Sequence, residues 1–396
     1  MEYNTSVASY AETPLSRGRK ERGEFILTAE QCLSWAARLT LEKVGLGIRD
    51  LSGQGLAVAG PLVRISELWT GEIAEILGVS PKLLIRSDHG GASAPNLVLQ
   101  ASLLIKSGLV DMVLCVGGGA RNWSEARTVS PHQYGIDFEK PYGMDGPNTK
   151  FALVAQRHFH QYGTRPEHFA KLAITQRKHA SLNPNAYLRN PISEKDYMES
   201  PMICSPLRML DCSIAVDGAA GFLLVSKEKA RRLADNAASV SGCGTISNYR
   251  EGGDASPDFT VTGVKAAAKT AFDQAGLTIS DLSLVHCYDD YNIMTLIQLE
   301  DIGLCKKGDG GKFIEKTDLS YQGDLPLNTS GGLLSYGQMP GAGSFTGVIE
   351  VARQLAGEAG ARQVDECRTG LMTSFGGLGY DLHVINAAAV LLTNEE

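Results

Sequence analysis

Apolar residues recur at the helical period from Thr28-Ala29-Glu30-Gln31-Cys32 onward, predicting a helix over about 28–45 with Thr28 as N-cap and Gly45 as its stop. Leu56-Ala57-Val58-Ala59-Gly60 follows as a short strand, and a second helix is expected over about 66–77. A third covers about 92–107. It opens directly out of the glycine-rich turn Arg86-Ser87-Asp88-His89-Gly90-Gly91-Ala92-Ser93. Leu109 to Val116 reads as a buried strand running into Gly117-Gly118-Gly119. Helices alternating with continuously apolar strands predict an α/β fold, with a mostly parallel sheet covered on both faces.

The alternation breaks between Arg121 and about Cys212, where polar, proline-containing segments surround helices at about 149–162 and 166–181. This stretch reads as an inserted loop domain. Asp217-Gly218-Ala219-Ala220-Gly221 then leads into a strand ending at Ser226, and the pattern restarts. Gly276-Leu277-Thr278-Ile279-Ser280-Asp281-Leu282-Ser283 matches Gly45-Leu46-Gly47-Ile48-Arg49-Asp50-Leu51-Ser52 at six of eight positions. Gly341-Ala342-Gly343-Ser344 opens a helix as the turn before 92 does, and Gly370 to Phe375 is a strand ending in Gly376-Gly377. Internal duplication is the expectation. The halves are residues 1–250, carrying the insertion at about 121–212, and 255–396, with Tyr249-Arg250-Glu251-Gly252-Gly253-Asp254 as linker. Duplicated halves place equivalent helix starts face to face, so residues 88–93 and 337–344 are expected to border one cleft.

Composition narrows the function classes. The 396 residues, 43% hydrophobic and 20% charged, suit a globular enzyme of two domains or one large duplicated one. A net charge of -7 argues against nucleic acid or an anionic membrane as partner. No apolar run reaches membrane-spanning length, and the first 25 residues lack a signal-peptide core. Arg17-Gly18-Arg19-Lys20-Glu21-Arg22 is a solvated loop or a phosphate or partner contact. The eight cysteines contain no CxxC pair, the pattern of reduced thiols in a cytoplasmic protein. Among them Cys115, Cys212 and Cys287 read as small buried residues. The eight histidines form no HExxH, His158 and His160 fall on the surface of an amphipathic stretch, and no metal site is expected.

With these pieces in order, the chain resembles the thiolase superfamily over nearly its whole length. The resemblance points to the branch of the sterol-carrier-protein thiolases and lipid-transfer proteins. It rests on Gly90-Gly91-Ala92-Ser93, His179-Ala180-Ser181-Leu182-Asn183-Pro184, Asp211-Cys212-Ser213 and Asp217-Gly218-Ala219-Ala220. Further matches are Tyr288-Asp289-Asp290-Tyr291-Asn292, Leu299 to Cys305, and Asn328-Thr329-Ser330-Gly331-Gly332-Leu333-Leu334-Ser335-Tyr336-Gly337. It implies a thiolase fold, a duplicated five-layer αβαβα sandwich, with a homodimer as the basic unit. A coenzyme A thioester is the implied substrate, with no other cofactor. Relatives in the branch often work with a small subunit carrying an OB-fold and a zinc ribbon, so a heterotetramer is implied as well.

The same mapping removes the thiolase chemistry. Gly91 stands where the family has its nucleophilic cysteine, and a glycine forms no thioester. Gly337-Gln338-Met339 replaces the Gly-His-Pro motif, Ser374 takes the place of the second cysteine, and Tyr288-Asp289-Asp290-Tyr291 replaces Asn-Glu-Ala-Phe. Anion-binding N–H groups are expected from Gly90, Gly91, Ala92, Ser93 and Gly377, and Gln338 joins them in the expected oxyanion and acyl-CoA-binding set. Tyr288, Tyr336 and Tyr380 are candidate proton donors or acceptors, or else walls of the pocket; Asp289 or Asp290 is a candidate base, or orients a tyrosine. His89 is an acid/base or a turn histidine, and His286 a core histidine. Cysteine-free members of the branch include aldolases. The expected activity is therefore a retro-aldol lyase acting on a bulky, steroid side-chain-like β-hydroxyacyl-CoA. An unusual thiolase or acyltransferase, and a non-catalytic acyl-CoA- or lipid-binding subunit, remain as alternatives.

Overall fold

The computed structural model describes residues 3–60, 66–121, 136–144, 146–252 and 258–394. Part of the expected insertion, 122–135, and the expected linker residues Gly253 and Asp254 lie outside the described residues. In chain order the first elements are β1 (Thr5–Glu12), α1 (Ala29–Glu42), β2 (Gly55–Ala59), α2 (Trp69–Leu77), β3 (Leu83–Ser87), α3 (Ser93–Lys106) and β4 (Met112–Gly119). The segment that follows carries α4 (Ile136–Glu139), α5 (Pro147–Tyr162), α6 (Pro166–Leu182), α7 (Glu194–Met198) and a small hairpin of β5 (Met202–Cys204) and β6 (Leu207–Arg208). Next come β7 (Gly218–Ser226), α8 (Lys227–Leu233), β8 (Ala238–Ser247), α9 (Val264–Ala275), β9 (Leu284–Cys287) and α10 (Asn292–Ile302). The chain closes with α11 (Gly310–Lys316), α12 (Gly332–Ser335), α13 (Gly343–Leu355), β10 (Thr369–Phe375) and β11 (Asn386–Asn394). The expected start of α1 is built as a capping box: Thr28 Oγ1 accepts from Gln31 N at 3.2 Å and Gln31 Oε1 from Thr28 N at 2.9 Å.

Nine strands form one sheet in the order β3-β2-β4-β7-β1-β8-β11-β10-β9. Read outward from the centre, β1-β7-β4-β2 and β8-β11-β10-β9 have the same order and the same directions. In each set the last two strands are parallel and the others antiparallel. Leu327, bridging in parallel to Val285, stands where the first set has β3. The sheet is thus mixed rather than mostly parallel. The antiparallel strands β1 and β8 escape the apolar pattern: in β1, Thr5, Ser6 and Ser9 are fully buried hydroxyl residues. Thr5 bonds Ser102 and Ser9 bonds Thr40 O, so a polar-looking stretch runs through the centre of the sheet.

β8 pairs along its whole length with β11 and meets β1 only at Ser6↔Ser239 and Val7↔Ala238. By pairing, the second set begins at Ala238, ahead of the division near residue 250 expected from the turn residues. α3 and α13 touch strands of both sets and each other, lying between them, while α1 and α2 cover one outer face and α9 and α10 the other. These are the five layers αβαβα. The central layer brings the N-termini of α3 and α13 together. Below it, Glu350 of α13 is fully buried with Arg353 Nη1 at 3.2 Å and Arg362 Nη2 at 2.9 Å. Burial opposes its ionisation, but the two guanidiniums hold its carboxyl down to about 2.

Candidate active site

Where the turn after β3 meets the turn after β10, a cavity of about 330 Å³ opens. Gly90 and Gly91 line it from one side, Phe375, Gly376 and Gly377 from another, and Gln338, Met339, Gly341 and Gly343 from the start of α13. The two regions 88–93 and 337–344 therefore do border one cleft. Tyr288 and Asp290 form its floor, and Met144, Phe151, Leu378 and Ile385 give it apolar walls. Glu139 and Lys150, 2.8 Å apart, close the side toward α4 and α5. Lys150 also donates to Gly379 O at 3.4 Å.

Gly91 is a glycine by necessity. A Cβ built on it would lie 2.3 Å from Phe375 O, 2.5 Å from Tyr288 Cζ and 2.7 Å from Tyr288 Cε1. A Cβ on Gly343, on the other side of the same ring, would lie 2.8 Å from Tyr288 Cε2. The Tyr288 ring is thus held between the openings of α3 and α13, edge-on to Phe375 at 5.2 Å between centroids and 85° between planes. It occupies the space that a residue-91 side chain needs.

The phenol oxygen is fixed by an amide. Gln338 Nε2 donates to Tyr288 Oη at 2.8 Å, and Gln338 Oε1 accepts from Ser213 Oγ at 2.8 Å. With its lone pair engaged, the Tyr288 hydroxyl keeps its own proton for an acceptor in the cavity. Burial, then the negative charge of Asp290, pushes its pKa up, so it is a protonated phenol. Asp290 is the cavity carboxyl beside Tyr288; the other lining carboxyl, Glu139, pairs with Lys150. Asp290 Oδ1 is buried with no hydrogen-bond partner among the described residues, and burial followed by repulsion from Asp289 raises its pKa well above the usual range. Asp289 turns away: it accepts Leu333 N at 2.8 Å and Leu334 N at 3.4 Å and so caps α12. Burial raises its carboxyl to about 8 in spite of those bonds.

The remaining candidates separate by position. Ala92 N donates to His89 O at 3.0 Å, and Ser93 N donates to Gly90 O, so the 3₁₀ turn uses two of the N–H groups expected to be free. Gly91 and Gly377 line the cavity, and neither N–H is among the donors paired in the turns and loops of the described residues. His89 is held by Ser87, its Nδ1 at 3.0 Å from Ser87 Oγ, and lies outside the cavity wall. Tyr336 is fully buried outside the cavity. Burial and then the charge of Glu12 raise its pKa, and its backbone carbonyl accepts Tyr187 N at 3.0 Å. Tyr380 is 54% exposed and outside the cavity lining, edge-on to Phe138 at 6.3 Å.

Three assignments change, the smallest being Cys212, which is partly exposed rather than buried. Ser374 points away from the cavity with its Oγ buried and unpartnered among the described residues. Successive side chains of a strand face opposite ways, so the cavity side of β10 belongs to Phe375. His158 is buried, not on the surface: Thr164 Oγ1 lies 2.8 Å from Nδ1 and Glu300 Oε2 3.1 Å from Nε2. His160 is exposed. His286 is a core histidine, 3.0 Å from Ser330 Oγ, with burial pushing it down to about 4. All eight cysteines are free thiols, and none lines the cavity. Among the described residues no group of three His, Cys, Asp or Glu side chains could hold a metal ion.

Comparison with known proteins places this geometry. The family profile described as thiolase C-terminal domain-like matches residues 247–387. An acetyl-CoA acetyltransferase of Methanothermobacter thermautotrophicus is 32% identical over 86% of this chain and 89% of its own. The chain belongs to the thiolase superfamily. Within that superfamily it is also 30% identical to a steroid side-chain-cleaving aldolase of Thermomonospora curvata, over 89% of this chain and 90% of that one. The solved structure of the Ltp2-ChsH2(DUF35) aldolase superposes with a TM-score of 0.84 at 25% identity, covering 99% of this chain and 98% of its own. Against the thiolase frame, the residues that sequence reasoning missed are Phe375, Ser213 and the Glu139–Lys150 pair. Strand alternation in Thr369–Phe375 was the one signal that pointed to Phe375.

Proposed function

We propose that this chain is a carbon–carbon lyase that cleaves a bulky β-hydroxyacyl-CoA by a retro-aldol route with no acyl-enzyme. The observation that carries this reading is the Tyr288 ring in the space of the residue-91 side chain: a proton donor has taken the nucleophile's volume. In the reaction a base removes the β-hydroxyl proton, and the Cα–Cβ bond breaks. Its electron pair passes into the thioester as an enolate, the β-carbon departs as a ketone or aldehyde, and a proton returns to Cα. Asp290, ionised, is the base, with an affinity for protons that its burial has raised. Tyr288 supplies the proton to Cα. The N–H groups of Gly91 and Gly377 receive the enolate oxygen. Met144, Phe151, Met339, Phe375, Leu378 and Ile385 suit a large apolar acyl group. The aldolase relative supports the same reaction class.

The assembly belongs to the same reading: a homodimeric core joined by a small OB-fold and zinc-ribbon subunit into a heterotetramer, in the cytoplasm. β3 stands at an edge of the sheet with Leu84 exposed, a surface on which a second copy can pair. Phe138, 70% exposed and edge-on to Tyr380, and Tyr142, 86% exposed, lie on the segment that carries the lining residues Glu139 and Met144. The superposed aldolase pairs Ltp2 with ChsH2(DUF35). Among the described residues no helix is long and apolar enough to cross a membrane.

The test is turnover. Purified protein, alone and with such a subunit, is incubated with a steroid-like β-hydroxyacyl-CoA, and the products are separated by chromatography and mass spectrometry. A ketone or aldehyde and a shorter acyl-CoA are expected. Intact substrate under both conditions overturns the reading.

A further inference from the structure

Ser213 touches both halves of the cavity chemistry and has no role in the reading so far. Its backbone N donates to Asp290 O at 2.8 Å, fixing the segment that carries Tyr288 and Asp290. Its Oγ donates to Gln338 Oε1 at 2.8 Å, which turns the Gln338 amide so that Nε2 reaches Tyr288 Oη at 2.8 Å. The stretch around it is clamped to the same two partners. Gln338 N donates to Ile214 O at 2.7 Å, Val216 N donates to Gln338 O at 3.1 Å, and Cys212 bridges to Tyr291.

The loop itself is anchored from below. Asp211, fully buried, accepts Tyr197 Oη at 2.7 Å, Asn292 Nδ2 at 2.9 Å and Arg208 N at 2.7 Å. Ser213 therefore stands on a fixed base, with one hydrogen bond to each of the two segments that must be in register.

We infer that Ser213 is a positioning residue: by setting the polarity of the Gln338 amide, it directs the Tyr288 hydroxyl proton into the cavity. If its hydroxyl is removed, the amide loses the partner that holds Oε1 and can turn over. Tyr288 then donates to Gln338 Oε1 instead of to a ligand, and the proton donor is lost while every ring and backbone contact stays in place. An amide carbonyl accepting from Tyr288 is chemically the reverse of what the cavity holds now.

The inference rests on the lyase reading only for its kinetic arm, so a second arm is independent of turnover. Protein carrying 13Cζ-tyrosine is compared as wild type, Ser213→Ala and Ser213→Thr, with the Tyr288 resonance identified as the one missing in Tyr288→Phe. In Ser213→Ala that resonance is expected to shift, and in Ser213→Thr to return to the wild-type position. In the kinetic arm Ser213→Ala lowers kcat about tenfold with KM within twofold, and Ser213→Thr restores most of it. A Tyr288 resonance unmoved by Ser213→Ala overturns the positioning role whether or not the protein cleaves anything. A wild-type protein that cleaves no β-hydroxyacyl-CoA, with the resonance moving as expected, overturns the lyase reading alone.

Discussion

Gly91→Ala separates catalysis from stability. The added methyl would sit 2.3 Å from Phe375 O, about 1 Å inside a normal carbon–oxygen contact of roughly 3.3 Å. That oxygen belongs to a backbone paired in register with Ala387, so the strand cannot yield cheaply. The other contact is the Tyr288 ring at 2.5 Å, which Gly343 and Phe375 hem in from its other sides. The ring must therefore shift, and overpacking of this kind costs about 1–3 kcal/mol. Spread over 396 residues, a loss of about 2 kcal/mol lowers the melting temperature by only ~2–3 °C. The chemistry loses more, because displacing a reacting group by about 1 Å costs on the order of 10²-fold. Calorimetry and steady-state cleavage of the β-hydroxyacyl-CoA read the two effects side by side. Gly91→Cys is expected to behave the same way and to form no acyl-enzyme, since the ring takes the space of its thiol. A Gly91→Ala protein with wild-type kcat refutes the claim that Tyr288 is the group filling this position.

Tyr288→Phe keeps the ring and its packing but removes the hydroxyl, so kcat falls about 10²–10³-fold with KM little changed, read by initial rates. Asp290 acts as a base only when ionised, and its pKa is raised, so kcat climbs with pH well above the usual carboxylate range; Asp290→Asn flattens that limb in a pH–rate profile. Glu350 has its pKa lowered to about 2, below the ordinary value of about 4.3, so its contribution to stability is present above pH ~4 and is lost as pH falls toward 2. Glu350→Gln, which leaves the buried guanidinium of Arg362 without its carboxylate, costs about 3–5 kcal/mol near neutral pH, seen as a lower denaturant midpoint and a weaker acid dependence.

The outline of the fold was legible wherever the local code was strong. The N-cap at Thr28, the repeat of Gly45–Ser52 in Gly276–Ser283 and the glycine-rich helix starts located both sets and the cleft between them. What stayed hidden depended on partners distant in sequence. β1 reads as polar because its buried hydroxyls are satisfied sideways by α1 and α3. His158 reads as a surface residue because Glu300, its partner, is 142 positions away. In the site, Gly91 was readable as a lost nucleophile, but not the reason it stays a glycine, which is the ring of a tyrosine from the other half. Ser374 and Phe375 differ by one position, and a one-residue step in a strand reverses the face. Tyr288, Asp290 and Gln338 line one cavity, whereas Asp289, Tyr336 and His89 lie outside its lining.

The most direct measurement of the central claim is a single turnover in D2O, with the product acyl-CoA analysed for α-deuterium and the protein for intact mass. Cleavage through a non-covalent enolate predicts one deuterium at the α-carbon of the shorter acyl-CoA and an unchanged protein mass. A protein mass raised by an acyl group, or a product without α-deuterium, contradicts it.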